Sequence, residues 1–346
     1  MYNKKYLISQ DKTLLDALVQ INGLSEGPLV LFAVDGNNRM VGTLTDGDAR
    51  RALIKGAKVE DRVRYVMHKN FNFLRRGVND DVEHIKEQRN LLMKLVPILD
   101  KSNHIYDIIN LEEHRSKLPM DAIIMAGGKG TRLRPLTDKV PKPLLKVGDK
   151  SIIDYNVENL ISVGVEHISV TVNYLKEQIE EHFENKVNGV QVHCVREPEY
   201  LGTIGSIKFV KRFYNDFIVI MNSDLFTNID FESFYLHFLQ YDADMSVAVV
   251  PYSVSVPYGI FKLSGRNIRG IKEKPTYNYY ANAGIYLIKK RLLDMVPNGV
   301  FFNATDLIDL LIKKKMRIIR FLITGFWIDI GKHEDYAKAQ EIIKHL

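Results

Sequence analysis

Apolar and polar positions change rhythm about a third of the way along the chain. Near the N-terminus, apolar residues at helical spacing over Leu14 to Ile21 lead into an apolar run, Leu29-Val-Leu-Phe-Ala-Val34. A polar turn, Asp35-Gly-Asn-Asn, and a second apolar segment, Met40-Val-Gly-Thr-Leu44, follow. This order predicts a helix, two strands joined by a tight turn, and a further helix capped by Thr45 or Asp46. It recurs more faintly: Val82 to Leu91 is helical in pattern, Leu95 to Leu99 is a strand, Asp100-Lys-Ser-Asn a turn and Ile105 to Ile109 a second strand. A unit built twice, with a period of about 55 residues, is expected, forming a smaller α+β domain over residues 1–116.

Arg115-Ser-Lys-Leu-Pro119 is a polar connector, and strands then alternate with helices. Strands are expected at Ala122 to Met125, His167 to Val172, Val190 to Val195 and Phe217 to Met221, with helices at Ile152 to Ile161 and Lys176 to Phe183. Such alternation predicts an α/β domain over 120–346, Rossmann-like, with a mixed, mostly parallel sheet covered on both faces. Ligands of such sheets gather at the carboxyl ends of the strands. A last helix is expected from Glu334 to Leu346.

Composition narrows the class. With 346 residues, 46% hydrophobic and 26% charged, two globular cores are affordable and disorder is not expected. The single cysteine, Cys194, excludes an internal disulfide and a CxxC zinc site. Met1-Tyr-Asn-Lys-Lys lacks the apolar run of a signal peptide, and no stretch reaches the roughly 18 apolar residues of a membrane span, so a cytoplasmic protein without membrane attachment is expected. The net charge of +6 suits phosphorylated small ligands. Without an RNP-like motif or a long basic tail, nucleic acid is not the expected partner, and Lys313-Lys314-Lys315 reads as a solvated helix face.

The strongest chemical signal follows the first strand of the second domain: Met125-Ala126-Gly127-Gly128-Lys129-Gly130-Thr131-Arg132, continued by Pro141-Lys142-Pro143. Three glycines in four residues let backbone N–H groups approach a polyphosphate, which Lys129, Arg132 and Lys142 can neutralise. The spacing fits neither a Walker A loop nor a dinucleotide fingerprint. Met221-Asn-Ser-Asp224 and Trp327-Ile-Asp329-Ile-Gly331 each place a carboxylate after an apolar strand. Two such aspartates are what a phosphate-bridging Mg²⁺ requires.

In this order the motifs resemble the sugar-1-phosphate nucleotidylyltransferase family, from about Met120 onward. The resemblance implies a nucleotide site made by Ala126, Gly127, Gly128, Gly130, Thr131, Glu197, Gly202 and Thr203. It makes Arg132 and Lys142 the holders of the triphosphate and departing pyrophosphate, and Asp224 and Asp329 the Mg²⁺ ligands. Glu273-Lys274-Pro275 resembles the sugar-side motif, with Lys274 on the sugar phosphate and Glu273 on sugar hydroxyls; Tyr258-Gly259 and Asn282-Ala-Gly284 resemble the other sugar-facing segments. Relatives that use pyrimidine nucleotides typically carry Gln where Glu197 stands. An ionised glutamate only accepts hydrogen bonds, which suits the N1–H and N2–H₂ donors of guanine, so GTP is the expected donor and a sugar 1-phosphate the acceptor.

The N-terminal repeat, with Gly42-Thr-Leu-Thr45-Asp-Gly-Asp48, resembles a CBS-domain pair. That implies a regulatory adenine nucleotide at Thr45 and Asp48, with Asp107 and Asn110 standing where the second copy should carry Thr and Asp. The combined architecture resembles the glucosamine-1-phosphate guanylyltransferases of bacterial legionaminic acid pathways, and a homo-oligomer is expected. Two alternatives stay open: a UTP-, dTTP- or CTP-dependent enzyme of the same mechanism, and a non-catalytic nucleotide-sensing CBS protein.

Overall fold

A computed structural model describes residues 4–24, 27–78, 81–112 and 115–345. The chain divides into two compact units, Met1–Lys117 and Leu118–Leu346.

The first unit contains two three-stranded sheets of one design. Leu7–Ser9 runs parallel to Val30–Val34, which pairs antiparallel with Met40–Thr45. Leu74–Arg75, Leu95–Leu99 and Ile105–Asn110 repeat that arrangement. In each copy a helix, Leu14–Asn22 or Val82–Asn90, joins the first strand to the second. Leu95, Leu99 and Ile105 of the second copy share a core with Leu14, Leu31, Phe32 and Leu44 of the first.

Equivalent strands begin 65 positions apart, at Val30 and Leu95 and again at Met40 and Ile105, so the period is longer than the expected 55. The Asp46–Ile54 helix and the short Val63–Val66 helix lie between the copies and lengthen it. In this register Asn110 is the counterpart of Thr45, and Asp107 that of Gly42. The assignment of Asp107 and Asn110 to the Thr and Asp positions is therefore corrected, and the counterpart of Asp48 is Glu113, outside the described residues.

The hairpin turns show the duplication most directly. Asp35 Oδ1 accepts from the backbone N–H groups of Asn37 and Arg39; Asp100 Oδ1 accepts from those of Ser102 and His104. Asn38 and Asn103 both adopt left-handed backbone, at φ 59° and 66°, which asparagine tolerates in such turns. Arg39 and His104, themselves counterparts, form a β-bridge. Contact between a residue and its own equivalent is what a local two-fold axis produces.

The second unit is built on a seven-stranded sheet in the order Val192–Arg196, Ile168–Val172, Met120–Ala126, Phe217–Asn222, Thr276–Lys289, Met245–Ser255, Ile318–Leu322. The first four strands are parallel, Thr276–Lys289 is antiparallel to both its neighbours, and the last two strands are parallel. A mixed, mostly parallel α/β sheet results. One apolar core packs Ile218, Ile220, Ile288 and Leu307. A smaller one gathers Leu133, Ile152, Phe226 and Ile330 near the last helix, His333–Ile343. The sequence pattern extended that helix to Leu346, which lies outside the described residues.

The Met245–Ser255 and Thr276–Lys289 strands run on past the sheet, pairing out to Ser255 and Thr276 and carrying an Ile260–Ser264/Asn267–Lys272 hairpin at their end. Their inner parts are buried as far as Val249, and Tyr252, Tyr279 and Tyr280 beyond are exposed. The lysine run also differs from expectation: Lys313 ends the Ala304–Lys313 helix, Lys314 caps it and Lys315 is left-handed at φ 56°. Three cations thus sit at a helix C-terminus, the end where the helix dipole favours them. Among the described residues no helix is long and apolar enough to cross a membrane.

Candidate active site

The site lies where the parallel strands end, as their polarity requires. A cleft of about 310 Å³ is lined there by the glycine loop together with Glu197, Asp224 and Asp329.

The loop leaves the buried Met120–Ala126 strand with backbone that only glycine supplies at two points. Gly130 is left-handed at φ 61°, and a methyl group on it would lie 3.0 Å from Thr137 Cγ2 and 3.1 Å from Lys142 Cβ. Thr137 Oγ1 donates to the Gly130 carbonyl at 2.9 Å and fixes the turn. At Gly127 a methyl group would meet Glu197 Oε1 at 2.5 Å. Nothing lies within 4 Å of the corresponding position on Gly128. Thr131–Leu133 and Lys142–Leu144 are short 3₁₀ turns that bring Arg132 and Lys142 to the cleft.

Glu197 follows the Val192–Arg196 strand, and its backbone N–H donates to the Val172 carbonyl at 2.9 Å. Its side chain is 3% exposed. Burial pushes the Glu197 carboxyl above its ordinary pKa, and the neighbouring Thr171 and Ser206 hydroxyls and the Leu201 backbone offset part of that shift. Among the described residues Glu197 Oε2 finds no hydrogen-bond partner.

The two aspartates, 105 positions apart in sequence, are joined by a short ladder. Leu225–Thr227 pairs antiparallel with Trp327–Asp329, with Leu225 opposite Asp329. The Ile330 N–H donates to the Asp224 carbonyl at 3.1 Å, and Trp327 Nε1 anchors the second strand on the Ala283 carbonyl at 2.9 Å. Lys142, 8% exposed, pairs with Asp224 Oδ2, and its Nζ lies 3.9 Å from Asp329 Oδ1. Burial raises the Asp329 pKa, the Asp224 charge adds to that, and Lys142 and Arg132 oppose it. Asp224 Oδ1 and Asp329 Oδ1 are buried without a hydrogen-bond partner among the described residues. Two buried carboxylate oxygens that lack a hydrogen bond beside a cleft fit a hard divalent cation that takes its other ligands from phosphate and water.

Ala126, Gly127, Gly128, Gly130, Thr131, Arg132, Lys142, Glu197, Gly202, Thr203, Asp224 and Asp329 therefore converge on one cleft. The residues assigned to the sugar do not line it. Tyr258 is 74% exposed at the end of the arm, and Gly259 lies against Glu273, whose Oε2 would be 2.9 Å from a methyl group there. Lys274 is exposed and left-handed at φ 42°. Asn282 Nδ2 donates to the Tyr286 hydroxyl and its Oδ1 accepts from the Gly284 N–H, which occupies both ends of the amide.

Tyr200, Asn222 and Ser223 also line the cleft and were absent from the sequence-derived set. Asn222 and Ser223 were legible as neighbours of Asp224. Gly284, left-handed at φ 72°, admits Asn222 Nδ2 to 2.5 Å of where a side chain would start, a backbone reason for the Asn-Ala-Gly tripeptide. In the first unit, Thr45 and Asp48 bond to each other in a capping box and Asp48 Oδ1 also accepts from Arg51.

Residues 121–345 match the family described as Nucleotidyl transferase. The chain belongs to this family, and it is a nucleotidyltransferase. It is 28% identical over 230 residues to the D-glycero-alpha-D-manno-heptose 1-phosphate guanylyltransferase of Aneurinibacillus thermoaerophilus, covering 65% of this chain and 99% of that relative. To a probable mannose-1-phosphate guanylyltransferase 2 of Arabidopsis thaliana it is 31% identical over 231 residues, covering 63% of each chain. Among solved structures, HddC from Yersinia pseudotuberculosis is similar with a TM-score of 0.52 at 28% identity, over 65% of this chain and 99% of that one. HddC complexed with GMP-PN is similar with a TM-score of 0.50 at 27% identity, over 65% of this chain and 99% of that one.

Proposed function

We propose that the protein is a sugar-1-phosphate guanylyltransferase, forming a GDP-sugar and pyrophosphate from GTP and a hexose 1-phosphate. The observation that carries this reading is the convergence of a glycine loop, Arg132, Lys142 and the Asp224/Asp329 pair on one cleft, with Glu197 seated against Gly127. The guanylyltransferase names of its relatives support the nucleotide.

A sugar phosphate oxygen attacks the α-phosphorus of GTP in line, the bond to the bridging oxygen breaks, and pyrophosphate leaves with that electron pair. The nucleophile is already an anion and needs no base. Backbone N–H groups of Gly127 and Gly128 and the Arg132 guanidinium align and neutralise the triphosphate. Lys142, held by Asp224, is positioned to balance charge that builds on the departing oxygens. Asp224 and Asp329 would hold a Mg²⁺, which supplies charge neutralisation of the phosphates when bound.

On the sugar side, Lys274, Glu273, Tyr258, Gly259 and Asn282 are assigned to the acceptor, with glucosamine 1-phosphate the first candidate on architecture and mannose or heptose 1-phosphates next from the relatives' names. The first unit is assigned as a CBS pair that binds a regulatory adenine nucleotide at Thr45 and Asp48, in a cytoplasmic homo-oligomer. Its duplicated turns and local two-fold support that assignment.

One observation favours a second donor. Burial raises the Glu197 pKa, and a protonated carboxyl donates as well as accepts, as the amide of glutamine does for a uracil or thymine edge. Pyrophosphate release with Mg²⁺, measured for GTP, UTP, dTTP and CTP against glucosamine, mannose, glucose and heptose 1-phosphates, decides between them. Turnover with GTP alone supports the guanylyl reading; preference for a pyrimidine nucleotide discards it; no turnover with any pair favours a sensing role.

A further inference from the structure

The second unit has another cleft, of about 540 Å³, which runs along the Val192–Arg196 edge strand and past the starts of two neighbouring parallel strands. Asp121, His167 and His193, at or beside the starts of three parallel strands, line it, and the Phe209–Tyr214 segment closes one side. Its volume is in the range of small-molecule clefts, and it shares no lining residue with the active-site cleft.

Charge at this cleft is one-sided. Asp121 is the only carboxylate among the lining residues, and it is 3% exposed and already occupied. It accepts from the Tyr214 and Asn215 backbone N–H groups at 2.7 and 3.2 Å and from Asn215 Nδ2 at 2.8 Å. Arg196 is engaged by both oxygens of Glu180. Lys211 and Arg212 are exposed, with no ion pair among the described residues. Arg212 is nonetheless held in place: its guanidinium lies 4.5 Å from the centre of the Tyr214 ring, which stacks on His167 at 3.8 Å and 16°. The segment thus brings two exposed cations to the rim of the cleft, one of them resting on an aromatic ring, and a guanidinium so oriented suits a phosphate group. Phe209, Val210 and Val195 supply apolar lining for the rest of a ligand.

We propose that this cleft binds a phosphorylated ligand of nucleotide size, its phosphate on Lys211 and Arg212 and its less polar body against Val195, Phe209 and Val210. The proposal does not depend on which nucleoside triphosphate the active site uses.

Cys194, the single cysteine of the chain, lies on the strand that lines this cleft, with its thiol on the Ile179 carbonyl at 3.8 Å, and reports on changes in that strand. Burial pushes its thiol up to about 11, so alkylation by iodoacetamide is best followed near pH 9. The full-length protein is alkylated with and without UMP, GMP, ribose 5-phosphate or inorganic phosphate. A nucleoside monophosphate at ten times its dissociation constant should slow Cys194 alkylation about tenfold, in proportion to occupancy. K211A/R212A should weaken that protection about tenfold or more, as loss of charge-assisted contacts does, while Arg132→Ala in the active site should leave it intact. Equilibrium dialysis with UMP reads the same site without the thiol, and K211A/R212A should lose one bound equivalent. Unchanged alkylation with every probe, protection that survives K211A/R212A or vanishes in Arg132→Ala, or equal protection by inorganic phosphate alone would each overturn the proposal.

Discussion

Replacing Gly127 by alanine tests the contact on which the base-reading assignment stands. The new methyl group would lie 2.5 Å from Glu197 Oε1, 3.0 Å from its Cδ and 3.1 Å from Oε2. Glu197 is 3% exposed and seated beside Thr171 and Ser206, so relief of the contact means swinging its carboxylate within the cleft it lines. Overpacking of this kind costs about 1–3 kcal/mol. If the strain is relieved by displacing the carboxylate, the loss appears in KM for GTP as about a five- to hundredfold increase, since 1.4 kcal/mol is about a factor of ten. Steady-state pyrophosphate release with varied GTP measures it, and thermal unfolding separates it from a general loss of fold. Glu197→Asp shortens the side chain and vacates the clashing volume, so in that background Gly127→Ala should add little; the cycle then gives a coupling of about 1 kcal/mol or more. Unchanged KM in the single variant, or an equal penalty in both backgrounds, would refute the contact as the origin of base selection.

Asp224→Asn should lower kcat by about a hundredfold or more, as loss of an electrostatic group at a transferring phosphate does, with an unfolding midpoint close to wild type by circular dichroism. Glu197→Gln should shift donor preference from GTP toward UTP or dTTP, read as the ratio of kcat/KM values. Guanine needs Glu197 ionised, and its pKa is raised by burial, so KM for GTP should rise as pH falls through that raised value and level off above it, while Glu197→Gln should show a flat profile. Asp121→Ala leaves three donors without their acceptor and should destabilise the protein by about 3 kcal/mol or more, seen as a lower urea midpoint.

The candidate active-site cleft was unusually legible because the chemistry proposed for it is carried by backbone and by strand ends. Glycine at positions 127, 128 and 130 and aspartate at 224 follow apolar strands whose ends a parallel sheet delivers to one edge, and Asp329 is brought to the same place by its antiparallel pairing with Leu225–Thr227. Two kinds of residue escaped. Tyr200 reaches the cleft from a loop outside the regular elements, which leaves no periodic trace. The long arm was missed because its outer strands expose aromatic and aliphatic side chains, as at Tyr252, Phe261, Leu263 and Tyr279, so apolar and polar positions there do not alternate in the way that marks a half-buried strand.

The N-terminal repeat shows how a correct pattern can carry a wrong register. Strand and turn in each copy stood out, but the period was set too short because the Asp46–Ile54 helix after the first copy has no described counterpart after Asn110. The turns correct it without any outside reference. Asp35 and Asp100 make the same pair of backbone contacts, Asn38 and Asn103 take the same left-handed conformation, and Arg39 bridges its own counterpart His104. Each of these pairs is separated by 65 positions, and that spacing carries Thr45 onto Asn110 and Asp48 onto Glu113. The second copy therefore keeps an amide in place of the hydroxyl and a longer acid in place of the shorter one. Thr45 and Asp48 close a reciprocal capping box at the start of the Asp46–Ile54 helix, so a ligand that recruits either side chain must compete with a cap worth about 1 kcal/mol. Thr45→Ala should consequently lower the stability of the first unit whether or not a nucleotide binds there, and only a loss of nucleotide affinity larger than that stability change would mark Thr45 as a ligand contact.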